Sequence, residues 1–379
     1  MMAIVKEPVV VVGGGIAGLA LARALHRQGR AAVVLDRRLG PPDAGLALNL
    51  PGNAVQALGA LGIGAELAEL GVPIHRREYR THRGRLLFTI DEDAFWQGVA
   101  QPRCVRRSDL LDLLGRDLPT GTVRWNCQVS AVQQTSDGVD VTLEDGSVQR
   151  AGFLVGADGV YSAVRSAVLG AAALRPALLS AASWRFMVPN PGIDRWLAWT
   201  GRPGTFALIP VSRQEVYGYA SATGGSGLVD TDPTWLASTF ADFPDPVPAI
   251  VAAALEDRTS LYHSPVEEVR IPRWGDRRVV LIGDAAHATA PIWAQGAALA
   301  VEDALVLAEL LASDDDPGTV AAEYERRRRP RVAHVQAMTD RMSRAAGLPS
   351  WLTERIVRLI GPKQYQRTYG PLKTPVVGV

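Results

Sequence analysis

A chain of 379 residues has room for two or three domains at roughly 150 residues each, and for a sizeable buried core. Its 40 Lys and Arg against 39 Asp and Glu leave a formal charge of +1, which excludes a field that draws nucleic acid or an anionic membrane and suits a small neutral or mildly anionic partner. The two cysteines, Cys104 and Cys127, lack CxxC spacing, exclude a disulfide framework and read as structural thiols in a reducing compartment.

No apolar run reaches the ~20 residues of a membrane span. The stretch from Pro8 to Ala22 is uncharged, but its glycines and the lack of a small-residue cleavage site argue against a signal peptide. The expectation is a cytoplasmic protein with no integral membrane association.

In chain order, the β-branched run Val9 to Val12 ends in glycines and is followed by an alanine-rich apolar pattern to Gln28 and a stop at Gly29. That predicts strand, tight turn, helix and glycine C-cap. A second buried strand from Ala31 to Leu35 makes residues 9–36 a βαβ unit, hence a parallel sheet. Further on, "GVDVTLEDGSVQRAGFLVGADG" alternates, turns at Asp145-Gly146 and alternates again, as a hairpin does. Residues 196–220 read as two or three antiparallel strands rich in aromatics, and the proline-rich "FADFPDPVPAI" as a surface loop. The α/β character changes near residue 180 and returns at "RRVVLIGDAAH", a buried strand leading into a helix. From about residue 303 the pattern is helical, with Arg326 to Arg329 as a solvated face and a further helix from Ser350 to Ile360.

A domain interrupted by another explains why the N-terminal sheet is completed so late in the chain. The expected division is 1–75, 100–178 and 265–345 for the first unit, 76–99 and 179–264 for the inserted one, and 346–379 for a C-terminal helical segment.

The sequence Gly13-Gly14-Gly15-Ile16-Ala17-Gly18 is a GxGxxG between a strand and a helix. Gly13 permits the turn, Gly15 lets backbone N–H groups approach a pyrophosphate at the positive helix end, and Gly18 packs helix to strand. Asp36 stands eighteen residues after Gly18 at the end of the second strand, where a carboxylate can accept from ribose hydroxyls or simply serve as a turn residue. An acidic residue there disfavours a 2′-phosphate and leaves NAD or FAD. "GADGVYSAVR" sets Asp158, Gly159, Ser162 and Arg165 in a strand-to-helix connection, and Asp284 immediately follows the strand "VVLIG". One Asp and one His, Asp284 and His287, are too few donors for a metal, so none is expected.

The ordered set of GxGxxG with Asp36, "RRSDL" at 106–110, "GADG" at 156–159, "GDAAH" at 283–287 and PxxxQG at 291–296 resembles the single-component FAD-dependent aromatic hydroxylases. These are flavoprotein monooxygenases with the p-hydroxybenzoate hydroxylase type of fold, and the likeness runs from about residue 8 to about 335. In length, and in the "WR" at Trp184, the chain is similar to the salicylate, 3-hydroxybenzoate, urate and quinolone hydroxylases. The resemblance implies an α/β fold: a Rossmann-like FAD-binding domain, a parallel sheet with helices, interrupted by an antiparallel-sheet substrate domain and followed by C-terminal helices.

It also implies roles. Gly13, Gly15 and Ala17 would hold the FAD pyrophosphate, Asp36 the adenosine ribose and Arg37 the adenine side. Arg107 would reach the FAD phosphate or ribitol, with Arg106 a weaker claimant. Val129 sits where a strand backbone meets adenine. Asp158 is similar to an aspartate linked to both FAD and nicotinamide-cofactor binding. Asp284 would bind ribitol or pyrophosphate, and Gly296, Ala297 and Ala298 would offer N–H groups to the flavin pyrimidine. The N-terminus of a helix starting there would stabilise the negative charge of a reduced flavin.

The implied activity is hydroxylation or epoxidation of an aromatic, N-heteroaromatic or polycyclic small molecule, using transient NAD(P)H and O2 through a C4a-hydroperoxyflavin, by a monomer or homodimer. A flavin dehydrogenase, reductase or halogenase, or a silent FAD- or ligand-binding relative, stays open as an alternative, although the halogenase segment WxWxIP is absent.

Trp184, Arg185, Phe206, Leu208, Tyr217 and Tyr219 are pocket candidates in the inserted sheet. Alternation pairs Tyr217 with Tyr219 and Phe206 with Leu208 on shared faces, without saying which face meets substrate. Leu46 and Leu48 read as apolar residues approaching the flavin, and His75, His82 and His263 as surface histidines, so no general base is assigned. Ala294 stands where relatives have Gly. A left-handed conformation there would cost on the order of 1 kcal/mol, so a slightly shifted loop is expected, with Trp293 beside it packing near flavin or substrate.

Overall fold

The valine run Val9–Val12 is buried along its whole length because it lies in the middle of a parallel sheet covered on both faces. The computed structural model describes residues 8–41, 46–170, 174–176, 182–201, 204–222, 232–313, 317–346 and 350–378. Among them, Val9–Val12 pairs in parallel with Ala32–Leu35 on one side and Phe153–Gly156 on the other. Val279–Leu281 then adds beside Phe153–Gly156, with Leu154 opposite Val279, so a strand from late in the chain completes the first sheet. Helix Ile16–Arg27 buries Ile16 through Leu25 and packs against helix Gly296–Ala312.

The Asp145-Gly146 hairpin joins Val139–Leu143 to Val148–Ala151, with Gly146 at φ +84°. The second alternating run is divided: past Gly152 the chain leaves the hairpin and Phe153–Gly156 enters the parallel sheet.

A second sheet of seven strands runs in the order Tyr262–Pro265, Ala182–Pro189, Glu215–Ala222, Gly204–Pro210, Trp196–Thr200, Arg76–Thr81, Leu86–Asp91. All neighbours are antiparallel except Trp196–Thr200 with Arg76–Thr81. Residues 76–91 and 182–222 thus meet in one sheet, while the expected boundary at 178/179 lies outside the described residues.

One face of this sheet carries Trp184, Phe186, Phe206 and Leu208 into a core closed by Phe240, Phe243 and helix Val247–Glu256. The proline-rich stretch expected as a surface loop is a loop only to Pro246 and also a cover: Phe240, Phe243, Val247 and Ile250 are buried while Ala241, Asp242, Asp245 and Ala249 stay exposed. Its phenylalanines, and not its prolines, decide its place, since burying each removes a large apolar area from water.

Two expectations about the C-terminal third change. Of the four arginines at 326–329, Arg328 is fully buried, donating to Asp303 at 2.7 Å and Glu302 at 2.9 Å. The 3.6-residue period turns one of four consecutive residues inward, and a guanidinium tolerates that position when carboxylates meet its fork. The other three pair with Glu323 or Glu325 at the surface. The last helix runs from Ser350 to Tyr369, past Pro362 and nine residues beyond the expected end at Ile360. Tyr365 and Tyr369 hold its final turns, packed edge-on against Phe95 and Trp96. No described helix is long and apolar enough to cross a membrane.

Candidate functional site

Between the two sheets lies a cavity of about 1910 Å³. Its first wall is the start of helix Ile16–Arg27. Gly13 adopts φ +108°, and a Cβ there would sit 2.3 Å from the Ala157 carbonyl oxygen, so only glycine permits the turn. At Gly18 a Cβ would fall 1.9 Å from the Gly13 oxygen, which is how closely this helix approaches its strand. Gly15 and Ala17 line the cavity, Gly15 has open space where a side chain would be, and no side chain caps the helix start. The first N–H groups therefore face the cavity.

The carboxylate of Asp36 accepts from Gly14 N at 2.6 Å and from Arg38 N, Nε and Nη2 at 2.8, 2.9 and 2.8 Å. Burial opposes its ionisation, but the hydrogen bonds from Arg38 and Gly14 outweigh that and hold the carboxyl below its ordinary value. Arg37, expected on the adenine side, is exposed; Arg38, two residues after Asp36, folds back onto it and over the Trp125 ring at 5.5 Å. The 126–127 backbone bonds to Arg38 and Asp36, and Val129 begins the next strand just beyond, outside the main cavity.

Asp158 turns onto its own chain. It accepts from Ala163 N at 2.7 Å and Val164 N at 3.1 Å, capping helix Ala163–Leu169, while its neighbours Ala157 and Gly159 line the cavity. Arg165 extends from this helix to the Ala285 carbonyl at 2.9 Å, tying the two strand-end motifs together.

Asp284 opens a short helix after Val279–Leu281 and faces the cavity beside Gly296. Asp284 is exposed to the cavity yet surrounded by protein, and that desolvation pushes its carboxyl up against the pull of His287, Arg107 and Arg185. Arg107 lines the same space without a salt bridge among the described residues, whereas Arg106 is committed to Glu215. Gly296 and Ala297 line the cavity at an uncapped helix start, with Ala298 buried behind them.

Ala294 has φ +51° and ψ +34°, so the expected loop shift does not occur; alanine occupies the left-handed conformation directly. The surroundings hold it. Ala294 N donates to Pro291 O at 2.9 Å, and Tyr369 Oη donates to Trp293 O at 2.8 Å. The buried amides of Gln295 and Asn53 pair reciprocally at 3.2 and 3.0 Å, and Asn53 also reaches Glu302. Trp293 is buried, lines the cavity and meets Tyr369 edge-on.

His287 hydrogen bonds Asp303 at 2.7 Å, and the same Asp303 oxygen accepts from Gly283 N at 2.9 Å. This Asn53, Gln295, Glu302, Asp303, Arg328 network was missed in the sequence. The signal was Glu302-Asp303, the only charged pair inside an apolar helix, which buries both.

The opposite wall is the inner face of the seven-stranded sheet. Arg185, Tyr217, Tyr219, Met187, Trp196 and Ile209 line it. Trp184, Phe206 and Leu208, expected in the pocket, point through the sheet into the other core, one residue out of phase. Burial pushes the Tyr217 and Tyr219 hydroxyls up, so both stay neutral donors at physiological pH. Arg185 bonds weakly to Ser183 at 3.4 Å and has no carboxylate partner among the described residues. Leu46 and Leu48 line the cavity. So does His263, half-buried against Trp184 instead of lying at the surface; His82 is half-buried, and His75 is exposed beside Asp93.

The FAD binding domain family model matches residues 6–339. The chain is 30% identical to 3-amino-4-hydroxybenzoate 2-monooxygenase of Streptomyces platensis, over 93% of this chain and 91% of that one. It is 31% identical to 2-heptyl-3-hydroxy-4(1H)-quinolone synthase of Pseudomonas aeruginosa, over 97% and 98%. The crystal structure of Klebsiella pneumoniae HpxO complexed with FAD and uric acid superposes with a TM-score of 0.87 at 26% identity, covering 98% of each chain. By this family match over most of its length, and by relatives at 30% and 31% identity, the chain belongs to the FAD binding domain family, as an FAD-dependent monooxygenase.

Proposed function

We propose that the chain uses NAD(P)H and O2 to hydroxylate an aromatic or N-heteroaromatic ring seated against Tyr217, Tyr219 and Trp196. The balance is ring C–H, O2, NAD(P)H and H⁺ giving ring C–OH, water and NAD(P)⁺. The observation that carries the reading is the continuity of one cavity from the helix starts at Gly15 and Gly296 to that sheet face.

The residues present fit FAD. The open space at Gly15 would admit a pyrophosphate to the first N–H groups of its helix, with Asp284 and Arg107 lining the same cavity; Asp36, beside Gly14 but outside the cavity lining, would meet the adenosine end once Arg38 shares its carboxylate. Gly296 and Ala297, at the uncapped start of their helix, would offer backbone donors to the flavin ring. When bound, FAD supplies the redox and oxygen-activating chemistry.

The chain's own work is orientation and exclusion of water. Tyr217 and Tyr219 offer neutral hydroxyls to a ring substituent, and Arg185 offers an uncommitted cation to a phenolate or carboxylate. Leu46, Leu48 and Trp293 close the cavity with apolar surface. The relatives act on rings as different as an aminohydroxybenzoate and a quinolone, and the apolar lining here favours the larger heteroaromatic class.

The test is oxygen transfer. Purified protein is expected to carry FAD, and an accepted ring to accelerate NAD(P)H oxidation with ¹⁸O from O2 in the product. Label found only in peroxide or water, across a broad aromatic panel, would refute the proposal. Asp284→Ala is expected to shed FAD on gel filtration; undiminished flavin content would remove Asp284 from the cofactor site.

A further inference from the structure

The cavity of about 1910 Å³ extends in one arm past the flavin wall and the ring seat. The flavin wall and the Tyr217–Tyr219 face account for two of its sides. The third is built by the last helix, whose Ile356, Val357, Ile360 and Gln364 line the cavity opposite Leu87 and Phe88.

This arm is continuous with the ring seat. Trp196 meets Tyr79 at 5.0 Å between centroids, and Tyr79 stacks on Phe88 at 4.3 Å and 13°, so an aromatic run leads from the ring seat to the helix. A Cβ at Gly361 would come 2.4 Å from the Phe88 ring, so glycine sets how closely the helix approaches.

The arm is also a fixed wall. Tyr365 Oη donates to buried Glu92 at 2.8 Å, Glu354 pairs with Arg85, and Tyr369 donates to Trp293 O. At the mouth Met342 is 39% and Ile360 45% exposed, leaving apolar side chains open to water where a ligand would cover them. The charged groups lining this end are Glu354, already paired, and Arg341. An acid with one ring makes no use of such a surface.

We propose that this arm receives an aliphatic tail, so that the substrate is an N-heteroaromatic ring bearing an unbranched alkyl chain. The inference rests on the ring seat proposed above.

The test uses the FAD-loaded enzyme and 2-alkyl-4-quinolones with methyl, propyl, pentyl, heptyl and nonyl chains, with Kd read from the flavin absorbance change. Kd is expected to fall with each methylene by up to about fourfold until the arm is full. Val357→Asp and, at the more exposed position, Ile360→Asn are expected to flatten that dependence, with flavin content checking that each variant folds. A Kd independent of chain length, or a slope unchanged in both variants, overturns the proposal. Affinity that rises with length while no labelled oxygen enters any product would refute the oxygenation reading and support the arm. Oxygenated product without length dependence would refute the arm alone.

Discussion

Removing the Arg328 guanidinium takes one cation from two neighbouring buried carboxylates of helix Gly296–Ala312, leaving Arg331 on Glu302 at 2.7 Å and His287 on Asp303 at 2.7 Å. Arg328 is fully buried and donates to Asp303, Glu302 and the Leu299 carbonyl at 2.7, 2.9 and 3.3 Å. Arg328→Met keeps much of the volume and deletes every one of those donors. Stranding a buried charge outright costs about 3–5 kcal/mol; because Arg331 stays on Glu302 and His287 and Gly283 N stay on Asp303, the expected loss lies toward the low end of that range.

The pH dependence gives a second readout. Burial pushes Asp303 up, but His287 and Arg328 more than reverse it, holding its carboxyl at about 2 against an ordinary 3.8. A depressed folded value means stabilisation is fully present above pH ~4 and is lost as pH falls toward 2, a contribution of about 2 kcal/mol. Without Arg328 the Asp303 carboxyl rises, so that loss moves to higher pH. Urea unfolding monitored by tryptophan fluorescence at pH 7, 5 and 4 is expected to show a lower midpoint throughout and a steeper acid decline in the variant. Adding Asp303→Asn is expected to recover part of the loss. A variant within 1 kcal/mol of wild type, with the same acid profile, would refute the network as described.

Ala294→Gly, at φ +51°, is expected to raise stability by up to about 1 kcal/mol, since the left-handed strain of alanine exceeds the entropy cost of glycine there; a lower melting midpoint would count against that conformation. Phe206→Ala is expected to cost about 3–5 kcal/mol in thermal or urea unfolding and to leave ligand affinity alone. Tyr219→Phe should do the reverse, and exchanged effects would mean the sheet faces are assigned the wrong way round. Glu92→Gln weakens the partner of buried Arg77, Trp96 and Tyr365, so amide hydrogen exchange over 356–369 is expected to quicken ahead of the rest of the protein. Uniform protection would show that the helix is held by packing alone.

Much of the dinucleotide half was legible because its signals are local. A glycine that must turn at Gly13, a helix that must touch at Gly18 and a carboxylate at a strand end all lie within 36 residues. The inserted sheet was half legible. Alternation paired Tyr217 with Tyr219 and Phe206 with Leu208 correctly, but both faces are buried, one by a cavity wall and one by Phe240 and Phe243, so polarity gave no way to choose between them.

Arg328 and Asn53 were illegible for a different reason. Their partners lie 25 and 242 residues away, and an arginine in a run of four reads as solvated until the turn of its helix is known. Arg37 and Arg38 differ only in which one folds back onto Asp36, a choice made by turn geometry. Ala294 broke a local rule, and the Asn53–Gln295 pair and Tyr369 that hold its loop are distant in sequence.

The Asp303 carboxylate grips Gly283 and His287, while Glu302, one residue earlier, reaches Gln295 through Asn53. Two neighbouring side chains on one helix therefore pin both ends of the segment that crosses the cavity wall. Residues 288–293 run between those posts and are tied at each end, by Val269 N to Ala288 O at 3.0 Å and by Tyr369 Oη to Trp293 O at 2.8 Å. What such a braced span leaves open to change is the pair Pro291 and Ile292, which line the cavity without carrying a hydrogen-bonded tie of their own to a distant element among the described residues, so a new ligand can be met there while the posts stay put.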